Sequence, residues 1–117
     1  MDPHIRSEIA AYAALDEDDF YSILGAYSSP GTEFSPTGQI KKGKSYFDSI
    51  HDRLQQTICH EWDLCTKIAD PRWDDGVQLV AALGDVVAAV TVGVPPLLIA
   101  SLVVKIGVRS FCACSDQ

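Results

Sequence analysis

Residues 86–104 read VVAAVTVGVPPLLIASLVV, which is 19 successive positions without a charge. Asp85 precedes this stretch, and Lys105 and Arg109 follow it. Its length and high mean hydropathy are those of a transmembrane helix, and the basic residues after it would place the C-terminus on the inner side. The stretch is therefore either a membrane span or a pair of buried helices.

Two adjacent prolines in the middle of the stretch favour the pair of helices. Pro95 and Pro96 would break a single spanning helix, but both are tolerated in the first turn of a new one. Divided there, neither half has the roughly twenty apolar residues that a bilayer requires. We therefore predict one helix that ends near residue 91 and another that runs from Pro95 to about residue 112, packed antiparallel.

A line of polar residues supports the same interpretation. Ser101, Lys105 and Arg109 recur every four residues, which places them on one face of a helix. We expect this face, here called the polar strip, to meet water while the rest of the helix is buried. A β-hairpin is the alternative because valine favours strands. The length of both segments and the lack of two-residue alternation favour helices.

The remainder of the chain predicts amphipathic helices around this hairpin. Asp2-Pro3 and Asp16 are good helix starts, and the acids after Asp16 suit the positive end of a helix. We predict a single all-α domain, a compact bundle of about five helices with a long apolar C-terminal helical hairpin. Its parts are two short helices (1–27), a loop (28–40), a long helix (41–70), the hairpin (71–113) and a tail (114–117).

Charge and cysteine content limit the classes of function. The net charge is −7, and an acidic chain is a poor ligand for nucleic acid, whose phosphates attract clustered Lys and Arg. The start, Met1-Asp2-Pro3, lacks the features of a signal peptide. Four cysteines without such a signal indicate reduced thiols. We therefore expect a cytoplasmic protein, with an inner or plasma membrane location as the alternative.

One segment matches the P-loop pattern G-x-x-x-x-G-K-[ST] at Gly38, Gly43, Lys44 and Ser45. A working P-loop follows a buried strand, so that its amide groups converge on phosphate. Residues 32–37 do not form such a strand. We therefore interpret the segment as a basic turn that leads into the long helix, and we predict no cofactor.

The cysteines could in principle bind zinc, with Cys59, His60 and Cys65 on the long helix and Cys112 and Cys114 near the end. Zinc sites usually pair their ligands at C-x₂₋₄-C spacing, which these residues do not follow. On a continuous helix, Cys59 and Cys65 would also point in different directions. We predict no metal, while free, bridged and metal-bound cysteines all stay open.

The histidines (His4, His51 and His60) and the carboxylates predict no enzyme, because no nucleophile, positioned base and oxyanion donor can be assembled from their spacing. We expect a non-catalytic protein-interaction module or accessory subunit that self-associates or binds a partner protein. Three short amphipathic helices would leave part of the apolar hairpin uncovered, and uncovered apolar patches usually mark a partner site. The alternative is a small membrane-acting effector whose hairpin inserts into a bilayer. The predicted partner-binding residues are Trp73, Trp62, Leu97, Leu98, Val104 and Val108.

Overall fold

The computed structural model describes residues 3–28 and 36–114. Both ranges are mainly helical, and neither contains a strand. The all-α prediction is thus confirmed for this part of the chain, and the β-hairpin alternative is wrong. The α-helices are α1 (Pro3–Ala13), α2 (Glu17–Ser28), α3 (Pro36–Gln55), α4 (Leu64–Lys67), α5 (Gly76–Val87), α6 (Pro96–Ile106) and α7 (Val108–Phe111). A π-helical turn (Gln56–Glu61) extends α3, and a 3-10 turn (Pro71–Asp74) precedes α5.

The core lies around α6. Its six successive residues from Leu98 to Val103 are all buried, so the helix is covered on every side. Neighbours on these sides are α1, α2, α5 and α7. A helix that is apolar around its whole circumference has to be enclosed in this way in water. The position of α6 therefore determines where the other helices pack.

α5 and α6 are antiparallel neighbours, because Leu97 at the start of α6 covers Gly84 near the end of α5. The predicted long hairpin is wrong in its extent, since α5 has 12 residues and α6 has 11. Asp75 is the N-cap of α5, which therefore begins at Gly76. Its carboxylate accepts a hydrogen bond from the Val77 amide at 2.9 Å. None of the described helices combines the length and the apolar character that crossing a bilayer would require.

The polar strip is also wrong at its first residue. Ser101 is only 6% exposed and faces the protein interior. Gly107 ends α6 with a φ of 112°, a conformation that suits glycine, and the chain then restarts as α7. Arg109 consequently belongs to a different helix from Ser101. Only Lys105 lies where the strip predicts an exposed residue on α6.

The long helix predicted over 41–70 is wrong at both ends. α3 begins at Pro36, so residues 36–40 are helical although a loop was expected over 28–40. The rest of that loop, residues 29–35, lies outside the described residues. At the other end the π-helical turn gives way to Asp63, whose φ of 58° is left-handed. Aspartate tolerates this conformation better than most residues, and the chain changes direction there.

α2 and α3 approach each other closely through two glycines. A side chain added at Gly25 would overlap the backbone carbonyl of Gln39 on α3. One added at Gly43 would overlap the backbone carbonyl of Tyr21 on α2. Each glycine therefore faces the backbone of the other helix, and the two contacts lie one helical turn apart. The helices could not pack at this distance with any other residue at either position.

Little apolar surface is left uncovered in the described ranges. The large hydrophobic residues that are exposed there are Ile5 on α1, Tyr27 on α2 and Val92 in the turn before α6. They lie on different elements and do not adjoin in sequence. The prediction that the hairpin has an uncovered apolar face is therefore wrong. That face no longer supports the prediction of a protein partner, which is untested.

The contact between α2 and α3 predicts a large effect of one methyl group. Gly43→Ala should lower the free energy of unfolding by about 3 kcal/mol, because the new Cβ meets backbone that cannot rotate away. Urea unfolding followed by circular dichroism measures this change.

Gly76→Ala is the matched control, since no atom lies within 4 Å of an added Cβ there. Its free energy of unfolding should be unchanged or raised by up to about 1 kcal/mol, as alanine is the better helix former. Equal stability of the two variants would contradict the close approach of α2 and α3.

Candidate functional site

The two tryptophans are brought together by the break between α3 and α5. Trp62 follows the π-helical turn, and its amide donates to the carbonyl of Thr57 at 3.0 Å. Trp73 lies in the 3-10 turn. Their ring centroids are 5.6 Å apart at an angle of 68°, an edge-to-face arrangement. Both side chains are half-buried, so each keeps an accessible edge.

A basic side chain accompanies each ring. The Lys67 ammonium lies 5.4 Å from the centroid of Trp62, and the Arg72 guanidinium lies 5.3 Å from that of Trp73. Both distances are within the range of cation–π attraction. The cations therefore favour the observed ring positions and add positive charge beside an aromatic surface.

The tryptophans and their neighbours line a groove with a volume of about 510 Å³. We call it the tryptophan groove. It is lined by Trp62, Thr66, Lys67, Asp70, Arg72, Trp73, Ala82 and Asp85. Two acids and two bases are thus placed around two aromatic rings. A groove of this kind can hold an apolar side chain and pair with a charged one next to it.

Asp70 fixes the turn that carries Trp73. Its Oδ1 accepts from the Arg72 amide at 3.0 Å, and its Oδ2 accepts from the Arg72 guanidinium at 3.1 Å and 3.3 Å. These bonds, led by that of the backbone amide, hold the pKa of Asp70 below its usual value of 3.8. The carboxylate thus caps the turn and holds Arg72 beside the Trp73 ring.

The other predicted partner-binding residues do not reach this groove. Leu98 is 1% exposed and belongs to the core. Leu97 covers Gly84, and Val104 lines a different cavity, between α1, α5 and α6. Val108 is partly buried against the core. Of the predicted set, the structure brings only Trp62 and Trp73 together.

The P-loop match lies entirely within α3, so its residues form neither a loop nor the expected turn. Gly43 is buried against the backbone of Tyr21, which leaves no space there for a phosphate. The Lys44 ammonium lies 5.6 Å from the Tyr21 ring centroid. Gly38 and Ser45 are on the same helix. Packing between α2 and α3 accounts for the glycine at position 43.

All four cysteines form disulfides, Cys59 with Cys112 and Cys65 with Cys114. The Cα atoms of each pair are 5.4 Å apart. The expected reduced thiols are therefore wrong. Because the chain changes direction at Asp63, Cys59 and Cys65 can both reach the cysteines that follow α7. On a continuous helix the two residues would point in different directions.

The pairing also accounts for the residues considered as zinc ligands. A bridged cysteine offers no thiolate, and His60 is exposed on the π-helical turn. Across residues 3–28 and 36–114, no three His, Cys, Asp or Glu side chains converge as a metal site would require.

α7 is held against α3 by aromatic contacts, while the disulfides join the residues after α7 to the π-helical turn and to α4. The Phe111 ring lies 5.2 Å from the His51 ring and 6.3 Å from the Phe47 ring. The Gln55 side-chain amide donates to the Phe111 carbonyl at 3.0 Å. His51 is therefore part of a packed aromatic cluster on this face.

Two further residues of the groove have a signal in the sequence. Arg72 directly precedes Trp73, and Lys67 lies five residues after Trp62. Basic residues so near tryptophans permit cation–π contacts. Their meeting in one groove could not be foreseen, because it depends on the left-handed Asp63.

Comparison with protein-family models, curated proteins and solved structures finds no match to this chain. Function has therefore to be argued from the geometry alone.

The lowered pKa predicts acid sensitivity of the turn. Ionised Asp70 stabilises the folded chain above its unfolded pKa, and this stabilisation is lost as the pH falls through the folded pKa, below 3.8. A carboxyl titration by NMR should give a midpoint below 3.8 in the folded chain, and the usual value in urea.

Arg72→Ala is the informative variant because it removes the guanidinium but keeps the backbone amide. Its Asp70 midpoint should rise part of the way towards the usual value. A midpoint that does not respond to Arg72→Ala would contradict the assigned hydrogen bonds.

Proposed function

We propose that this chain is a non-catalytic binding protein that recognises a segment of another protein through the tryptophan groove. The observation that carries the proposal is the edge-to-face pair Trp62 and Trp73, each beside a cation and each half-buried. Tryptophan and arginine are the residues most enriched among those that dominate binding energy at protein interfaces.

The arrangement of charge indicates what such a segment would contain. Arg72 already pairs with Asp70 at 3.1 Å, so it has less to offer a partner. Lys67 lies beside Trp62 at one side of the groove, and Asp85 on α5 also lines it. An apolar side chain against the accessible parts of the two rings, followed by an acidic residue placed towards Lys67 and away from Asp85, would match both features.

A catalytic role has less support among the described residues. The His51 ring packs on Phe111, and its Nδ1 lies 3.8 Å from the carboxylate of the exposed Asp52. His60 is exposed on the π-helical turn. Neither arrangement places a histidine beside a hydroxyl or thiol nucleophile, which acyl-transfer chemistry would need.

The alternative function, a membrane-acting effector, gains no separate observation. The residues of α6 that would enter a bilayer are buried among four other helices. Insertion would have to unpack that core. Self-association likewise loses the uncovered apolar face on which it was argued. Both remain predictions that sedimentation and liposome flotation can test.

Removal of one ring tests the proposed function. A random peptide library displayed on phage and selected on the wild-type protein should yield peptides with an apolar residue followed by an acid. Trp73→Ala should weaken the binding of these peptides by at least about thirtyfold, the loss expected for a residue that dominates the binding energy of an interface.

Tyr27→Ala is the control, because Tyr27 is a 49% exposed aromatic residue on α2 that does not line the groove. It should leave peptide affinity unchanged, and urea unfolding should show that both variants fold. Peptides that bind wild-type and Trp73→Ala equally, or no enrichment at all, would refute the proposal.

We further propose that the protein works in an oxidising compartment and not in the cytoplasm. The cytoplasmic prediction depended on reduced thiols, and all four cysteines are paired. Disulfides persist in secreted and periplasmic proteins and are rare in reducing cytosol. The pairing therefore supports a location outside the reducing cytosol.

Production in the periplasm of a bacterial host tests this second proposal. Material from the oxidising periplasm should show no thiol that reacts with iodoacetamide after denaturation. Reduction should then lower the free energy of unfolding. The first bridge contributes about 4 kcal/mol by loop-closure entropy, and the second contributes about 2 to 3 kcal/mol because it closes a short remaining loop.

The double variant Cys65→Ser, Cys114→Ser separates the two bridges, since it retains Cys59–Cys112. Reduction should lower its free energy of unfolding by about 4 kcal/mol, the larger part of the loss that the wild type shows. Four reactive thiols in the periplasmic material would contradict the pairing and the proposed compartment together.

A further inference from the structure

A second cavity lies between α1, the start of α5 and the second half of α6. Its volume is about 410 Å³, within the range of small-molecule sites in proteins. At the roughly 30 Å³ that one water molecule occupies in the liquid, it has room for about a dozen non-hydrogen atoms. We call it the Ser101 cavity. Its lining is mostly apolar and includes Ile9, Ala13, Phe20, Val77, Val80 and Val104.

One buried polar residue belongs to this lining. Ser101 is 6% exposed, and its hydroxyl has no hydrogen-bond partner among the described residues. Burial of a hydroxyl without a partner costs free energy, so such groups in proteins usually have one. A valine or alanine would fit an apolar helix at this place without that cost. The hydroxyl is therefore suited to pair with an atom that the cavity receives.

The charges near the cavity argue against an ionic ligand. Asp75 and Lys105 both line it, and both are exposed, so they lie at its mouth. Their opposite charges offset each other for any ligand that passes between them. Asp75 already accepts from the Val77 amide at 2.9 Å. Apart from these two residues, Ser101 has the only polar side chain in the cavity lining, and one hydroxyl cannot compensate for the burial of a carboxylate or an ammonium.

We propose that the Ser101 cavity binds a neutral, mainly apolar small molecule that carries one hydrogen-bonding oxygen, such as a medium-chain alcohol or ketone. Ser101 forms the hydrogen bond with that oxygen, and the valines of α5 and α6 contact the hydrocarbon part. This site is distinct from the tryptophan groove, and it does not depend on the function proposed for that groove.

Displacement of a small neutral fluorescent probe, 1-naphthylamine, from the purified full chain tests the proposal. Octan-1-ol, octane and octanoate serve as competitors of equal chain length. Octan-1-ol should displace the probe at the lowest concentration. Octane lacks the oxygen, and octanoate would bring a charge into the apolar interior. No displacement by octan-1-ol, or an equal effect of all three, would overturn the proposal.

Two variants locate the binding. Ser101→Ala should weaken the binding of octan-1-ol by about three- to tenfold, which corresponds to the loss of one hydrogen bond. The affinity for octane should be unchanged. Ser110→Ala on the exposed part of α7 is the matched control and should change neither. Ala13→Leu fills the cavity from the surface of α1 and should abolish binding of both competitors.

Stability of the ligand-free protein distinguishes a binding role of Ser101 from a structural one. Removal of an unpaired buried hydroxyl should leave the urea midpoint unchanged or raise it, although the affinity for octan-1-ol falls. A lowered midpoint together with unchanged affinity would show that the hydroxyl serves the fold, and the proposal would then be wrong.

Discussion

The enclosure of α6 is the constraint on which the rest of the structure depends. Six successive buried residues leave that helix no face for water, so other helices have to cover each of its sides. α5 covers one side as the antiparallel neighbour, and α1, α2 and α7 cover the others. The close contact of α2 with α3 through Gly25 and Gly43 then joins the longest helix to this core. Each surface feature is placed by that arrangement.

The parts of the fold that could be predicted are those with a strong local cause. Pro95 and Pro96 divide the apolar stretch, and α6 begins at Pro96. Asp16 caps α2 by accepting from the Asp19 amide at 2.8 Å, while the Asp19 carboxylate accepts from the Asp16 amide at 3.2 Å. Such caps act within one turn of a helix, so the local sequence is enough to indicate them.

The helix ends that could not be predicted depend on distant contacts. Asp63 and Gly107 both take positive φ values, one inside a predicted long helix and the other inside a predicted hairpin. Neither residue alone ends a helix reliably. The segments around them are held by disulfides with sequence separations of 53 and 49 residues, and this pairing has no local signature. Tertiary constraint thus overrode a helical pattern that was locally correct.

The candidate site divides in the same way. Trp62 and Trp73 could be named from the sequence as large aromatic residues suited to anchor a partner, but their contact requires the turn at Asp63. Ser101 was placed on a wet face because serine recurs with Lys105 at helical spacing. Its burial follows from the position of α1, which no pattern within α6 could reveal. Periodicity shows which residues share a face, whereas the identity of the element that covers this face is set by the whole fold.

The two disulfides also give the two halves of the chain different covalent connectivity. Residues 59–114 form closed rings, because each bridge joins the neighbourhood of the π-helical turn to the segment after α6. A single cut by a protease anywhere between Cys59 and Cys114 would leave both fragments attached to each other. Residues 3–58 have no such link, so α1 and α2 are retained by packing alone. Cleavage of the chain before α3 would therefore leave α1 and α2, two of the helices that cover α6, without a covalent link to the rest. Residues 59–114 would stay cross-linked after the same cleavage.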